Sequence, residues 1–229
     1  MNGPGKQAAA GWICLGFFLL FFAAAFCRQA VQTGGSVQAD PPGDEVRKIA
    51  LTFDDGPHPV WTPVLLDGLR QRGVRASFFL IGKNAVEHPE LVERMAREGH
   101  LIGNHTYHHV RLDQEDEGKL KQEIEDTDKV IFLITGNHTG YVRPPYGVWK
   151  EGLEKKLGVL PVMWTIDPLD WKIKDPGEIT RKVVTQARED AMILLHDCYG
   201  PSVEAALAIV DRLQQEGFVF VTVEELLLG

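Results

Sequence analysis

The sequence predicts an α/β fold of seven parallel strands with intervening helices. Three observations carry this. Short apolar runs rich in branched and aromatic residues recur seven times; stretches with helical periodicity separate them; and clusters of reactive side chains fall just after several of the runs. About 185 residues follow Asp44, fewer than the ~250 typical of an eight-unit barrel. A seven-stranded incomplete barrel and an open doubly wound sheet both fit that length, and both place function at the carboxyl ends of the strands.

The chain opens differently. Gln7 to Cys27 carries no charge, Trp12 to Phe26 is almost unbroken apolar sequence, and Lys6 and Arg28 flank it. Residues 1–30 therefore read as a signal peptide or an N-terminal membrane anchor, and the expected location is extracytoplasmic, secreted or anchored through this segment. Residues 31–46 contain the Gly- and Pro-rich TGGSVQADPPGD and read as a linker. Residues 47–229 form the remaining domain. Its strand candidates are Lys48–Phe53, Ala76–Ile81, His100–Asn104, Tyr141–Arg143, Leu160–Ile166, Met192–His196 and Phe218–Val223. Helical patterns run over Thr62–Arg72, Pro89–Glu98 with Gly99 as a stop, a long segment through Leu120, Ile124 and Ile131 to Gly136, Glu178–Glu189, and Val203–Glu216 closed by Gly217.

Composition limits the function. The chain has 229 residues, 44% of them hydrophobic and 24% charged, with 24 Lys+Arg against 32 Asp+Glu for a net charge of −8. That excludes a disordered tail and gives no electrostatic footprint for nucleic acid. Cys14 and Cys27 lie in the leader, which leaves Cys198 alone, so no internal disulfide staples the domain. A monomer is expected, touching membrane only through its N-terminal segment.

The reactive clusters have a consistent logic. Asp54 and Asp55 end the first strand ahead of Gly56-Pro57. Adjacent residues in extended chain point opposite ways, so the two carboxylates can serve different tasks, one holding a metal and the other handling a proton. The third strand runs into His105-Thr106-Tyr107-His108-His109, where His105 and His109 share a face if one helical turn forms. Two imidazoles and one carboxylate suit Zn²⁺ or another first-row divalent ion with open positions. Arg143 precedes Pro144-Pro145 and can fork onto a carboxylate. Asp170 and Trp171 follow the fifth strand, and His196 ends the sixth. His58, His88, His100 and His138 have no partner pattern and read as surface or turn residues. Cys198 reads as a bystander.

TFDDGP, HTYHH, RPPYG, DPLDW and LLHD, in this order, resemble the five motifs of the polysaccharide deacetylase family (the NodB-type, carbohydrate esterase family 4 domain). The resemblance covers Lys48 to the C-terminus without a departure in the motif residues. It implies a deformed (β/α)₇ barrel and metal-dependent removal of N-acetyl groups from N-acetylglucosamine polymers, peptidoglycan first and chitin oligosaccharide second. It assigns Asp55, His105 and His109 to the metal, with zinc favoured over cobalt, manganese or nickel. Asp54 would be the general base, held by Arg143, and His196 the general acid, oriented by Asp170. Tyr146 would offer its backbone N–H to the oxyanion, while Trp171 and Leu195 would line a pocket for the acetyl methyl. The alternatives are a non-catalytic glycan-binding module, an O-acetyl esterase of the xylan type, or a ferrous oxygenase. The wide separation of Asp55 from His105 in the sequence argues against the last.

Overall fold

The computed structural model describes residues 46–229. The leader and all but the last residue of the linker lie outside the described residues. In chain order the elements are β1 (Arg47–Asp54), α1 (Trp61–Gln71), β2 (Ser77–Leu80), α2 (Gly82–Glu87), α3 (Pro89–Arg97), β3 (Leu101–Asn104), α4 (Glu117–Thr135) and β4 (Tyr141–Val142). A 3₁₀ turn (Pro145–Gly147) follows, then α5 (Leu153–Leu157), β5 (Leu160–Pro161), α6 (Pro176–Val184), β6 (Ala191–His196), α7 (Gly200–Gln215), β7 (Phe218–Val221) and α8 (Val223–Leu228). Among the described residues, no helix is long and apolar enough to cross a membrane.

All seven strands pair in parallel, in the order β5-β4-β3-β2-β1-β6, with β7 along the first half of β1. Past β5, Ile166 makes a single parallel bridge to Ile193 on β6. The sheet therefore curls round on itself as a deformed (β/α)₇ barrel, and the doubly wound alternative falls away.

Alternation along the strands sorts the two faces. On β1, Ile49, Leu51 and Phe53 join the main core with Leu65, Leu69, Ile209 and other helix residues. Ala50 lies in a second cluster with Phe79, Val162 and Val223, inside the barrel. Thr52 and Asp54 share the face of Ala50, so the interior passes from apolar to charged as β1 rises to its carboxyl end.

Local chemistry sets the boundaries. The Asp116 carboxylate accepts the Lys119 N–H to start α4, and Gly136 ends the helix at a left-handed φ of 77°. Thr222 and Glu225 form a reciprocal capping box that starts α8, so the last strand stops at Val221 rather than Val223. The fifth strand is also shorter than its apolar run, because the carbonyls of Val162 and Met163 accept from the Arg143 guanidinium and the chain leaves the ladder there. The helix expected over Glu178–Glu189 spans Pro176–Val184; Asp190, at φ 58°, redirects the chain and donates its N–H to the Lys48 carbonyl. His100 is not a surface or turn residue: its side chain is 2% exposed, and Nδ1 accepts the Ala76 N–H at 3.1 Å.

Candidate active site

The carboxyl ends of β1, β3, β4 and β6 and the loop after β5 converge on a cavity of about 430 Å³. Asp54, Asp55, His105, His109, Tyr146, Trp171 and His196 line it. Backbone strain concentrates there as well. Asp55, Thr106, His109, Tyr146 and Leu169 are all non-glycine residues with φ between 58° and 75°, and such conformations persist where the surrounding structure enforces them.

Asp55, His105 and His109 form a triad whose ligand atoms lie within 4.8 Å of one another. His105 Nδ1 lies 2.7 Å from the Arg143 carbonyl and donates its proton there, which leaves the Nε2 lone pair facing Asp55. Asp55 Oδ1 is 3.5 Å from His105 Nε2 and 3.4 Å from His109 Nε2, and it is buried without a hydrogen-bond partner. These gaps are too long for hydrogen bonds. They match the ~3.4 Å between ligands that bonds of ~2.1 Å impose in a tetrahedral site. The residues present therefore fit a divalent ion. Burial opposes the Asp55 charge, but the surrounding imidazoles outweigh it and hold the carboxyl below its usual range. His108 turns away to bond Glu123.

On one side of the triad stands Asp54, 3% exposed. Arg143, fully buried, donates to Asp54 Oδ1 at 3.0 Å and to Thr52 Oγ1 at 2.6 Å. The Arg143 guanidinium also packs over the Phe79 ring at 4.1 Å. A planar cation with several fixed donors makes ionising a buried Asp54 tolerable. On the other side, His196 Nδ1 lies 2.9 Å from Asp170 Oδ1, and the His196 N–H donates to Asp170 Oδ2 at 2.8 Å. Asp170 is fully buried. Burial opposes the imidazolium, but the Asp170 bond and charge, reinforced by Asp54 and Asp55, push His196 up to about 9. Asp54 and His196 are direct register partners on β1 and β6.

The family model for polysaccharide deacetylase matches residues 42–162. The chain belongs to the polysaccharide deacetylase family. It is 34% identical over 186 residues to the peptidoglycan-N-acetylglucosamine deacetylase PgdA of Listeria monocytogenes, across 81% of this chain and 40% of that protein. It is 36% identical over 199 residues to the chitooligosaccharide deacetylase of Rhizobium leguminosarum bv. trifolii, across 80% of this chain and 93% of that one. The solved structure of the peptidoglycan deacetylase PdaC from Bacillus subtilis superposes with a TM-score of 0.77 at 37% identity, covering 79% of this chain and 89% of that one. The chain spans 40% of the length of the Listeria relative.

Within this polysaccharide deacetylase domain one residue expected at the site is elsewhere. Leu195 is fully buried in the core between sheet and helices. Leu194 lines the cavity in its place. His196 points into the barrel, so period-two alternation sends Leu194 inward and Leu195 out; the same counting back from His196 identifies Leu194 in the sequence. Trp164, Asp167 and Tyr199 also line the cavity: Trp164 reads as part of the fifth strand, Asp167 opens DPLDW without a role of its own, and Tyr199 stands in a loop that gives no periodic signal. Cys198 stays unreactive, since burial pushes its thiol well above the ordinary range.

Proposed function

We propose that this chain is a metal-dependent polysaccharide N-deacetylase acting on N-acetylglucosamine units, with peptidoglycan the favoured polymer and chitin oligosaccharide the second. The observation that carries the reading is the pairing of Asp54 and His196 on adjacent strands, each with its own buried partner, across a triad of metal-ligand type. The similarity to deacetylases named for peptidoglycan and chitooligosaccharide supports the substrate class.

A divalent ion, zinc favoured with cobalt, manganese or nickel as alternatives, supplies when bound the polarisation of an amide carbonyl and the acidification of a water. Asp54, kept ionised by Arg143, accepts the proton of the attacking water. His196 carries Nδ1–H to Asp170 and presents Nε2–H to the leaving nitrogen, so water and amide become acetate and a free amine. Tyr146, held at φ 60°, offers its backbone N–H to the developing oxyanion. Trp171 and Leu194 form the apolar wall against the acetyl methyl. Residues 1–30 carry the domain across or onto the cytoplasmic membrane, where the polymer lies.

The test is acetate release from peptidoglycan, chitin oligosaccharides and acetylated xylan, with and without chelator, by wild type and Asp54→Asn. Metal-loaded protein that releases no acetate from any of them, and that binds glycan as Asp54→Asn does, rejects the reading. Release from acetylated xylan alone replaces it with an O-acetyl esterase.

A further inference from the structure

We propose that Glu123 is a positioning residue that holds His105 and His109 at metal-binding separation. The proposal rests on the metal-dependent reading above and concerns a residue outside the triad.

His105 and His109 stand on a loop with no regular secondary structure, and two of its residues, Thr106 and His109, have φ of 64° and 58°. A loop strained in this way needs an external frame. Helix α4 supplies one. Glu123, on the helix turn facing the loop, is 1% exposed, and its carboxylate takes four donors. Oε2 accepts the N–H of Tyr107 at 3.0 Å and of His108 at 2.8 Å. Oε1 lies 2.9 Å from His108 Nδ1 and 2.8 Å from Lys119 Nζ. The two backbone donors are the residues midway between the ligands, so the carboxylate pins the loop at its centre. One residue along α4, the Ile124 carbonyl accepts from Asn104 Nδ2, while Asn104 Oδ1 accepts the Thr106 N–H. The first half of the loop is thus tied to the same helix turn. His108, the one imidazole of the motif that turns away from the triad, acts as a side-chain strut in this arrangement. Ionised carboxylates make the strongest acceptors for such backbone N–H groups; a group bonded directly to a ligand ring typically changes metal affinity 10–100-fold, and Glu123 acts one step further out, through the loop backbone.

The experiment measures Zn²⁺ affinity by competition with a chromophoric chelator, and the visible spectrum of the Co²⁺-loaded protein, for wild type, Glu123→Gln, His108→Ala and Ile131→Ala. Glu123→Gln keeps the size and one acceptor but removes the charge. It is expected to bind Zn²⁺ more weakly, by up to about 10-fold, the low end for a group bonded directly to a ligand, and to alter the Co²⁺ spectrum. His108→Ala removes one of the four donors and shifts affinity in the same direction by less. Ile131→Ala destabilises the same helix away from the loop and leaves affinity unchanged in the folded protein. Wild-type affinity and spectrum in Glu123→Gln overturn the proposal, as does an equal loss in Ile131→Ala. If Glu123→Gln does not fold, wild-type affinity in His108→Ala overturns it. Wild type that binds Zn²⁺ but releases no acetate rejects the deacetylase reading alone; wild type that binds no metal rejects both.

Discussion

Asp170→Asn isolates what the buried carboxylate does for His196. The substitution keeps the shape and a carbonyl oxygen facing Nδ1 but removes the charge and turns its amide nitrogen onto the His196 N–H, giving up the bond that Oδ2 accepts; that second loss is independent of pH. The His196 imidazolium titrates at about 9 against an ordinary value of 6.5, and Asp170 is the first cause that raises it. A group with a raised pKa is fully protonated at low pH and is lost as pH rises through its folded value, so the acid limb of catalysis fails on the alkaline side. With the shift intact, nearly all His196 is protonated at pH 7; if the whole shift is lost, about a quarter is, a fourfold deficit. At pH 8.5 the same arithmetic gives about three quarters against ~1%, a deficit of roughly 75-fold. These are upper bounds on the pH-dependent deficit, since Asp54 and Asp55 retain part of the shift. A divalent ion on Asp55 moves both alkaline limbs down together, so their separation is the diagnostic. The assay is kcat for acetate release from pH 6 to 10 for both proteins. A mutant slower by the same factor at every pH refutes the reasoning and leaves Asp170 a merely orienting group.

Arg143→Met leaves the Asp54 carboxylate buried without its cation, and the fold is expected to lose about 3–5 kcal/mol in urea titrations, with catalysis falling in whatever remains folded. His100 titrates at about 4 in the fold because burial disfavours its charge, so stability is complete above pH 6.5 and falls as pH drops toward 4. Between those limits wild type should lose about 3 kcal/mol more than a non-titrating His100→Asn variant, measured by urea unfolding at pH 7, 5 and 4. Leu195→Ala opens a core cavity and should cost about 2–5 kcal/mol of stability with KM unchanged, whereas Leu194→Ala should raise KM at a smaller stability cost. The reverse pattern would restore Leu195 to the pocket wall.

The sheet was legible because each of its strands is an apolar run between breakers, and parallel strands with two buried faces need little more. Its details depend on contacts that no local pattern encodes. Leu160 to Ile166 reads as one strand, yet the Arg143 side chain takes the carbonyls of Val162 and Met163 and ends the ladder after two residues. The start of α8 was missed: Thr222 and Glu225 stand at capping-box spacing, but the apolar run Phe218–Val223 reads as strand through that point. The reactive residues were legible because they cluster at strand ends, and Asp54, Asp55, His105, His109, Arg143, Asp170 and His196 do come together. Their pairings, Asp54 with Arg143 and His196 with Asp170, followed from the motif resemblance and not from any local pattern. That Glu123 lies under the histidine loop was not legible at all, because it requires a loop and a helix face to be neighbours in space.

The charges at the barrel mouth explain why a cation belongs there. Carboxylates crowd this end, among them Asp54, Asp55, Asp170 and Asp197. Arg143 covers the first and His196 the third. Asp197, fully buried, has the Thr62 hydroxyl on one oxygen and nothing on the other, and its carboxyl is pushed up to about 7, by burial first and then partly by the Asp55 charge. Below about pH 7 it therefore relieves part of the repulsion by holding a proton. Asp55 has no such route, because the surrounding imidazoles hold its carboxyl low and ionised. Its neighbours within salt-bridge reach are the rings of His105, His109 and His196, and two of those direct Nε2 at the same oxygen. His105 already donates its Nδ1 proton to the Arg143 carbonyl; burial opposes a second proton on Nε2, but the Asp54 and Asp55 carboxylates outweigh it and push the imidazole up toward taking one when no ion is bound. A divalent ion satisfies Asp55, His105 and His109 together without that proton. Metal binding is thereby coupled to the fold of β1 and the histidine loop, and stability should rise with metal concentration by mass action.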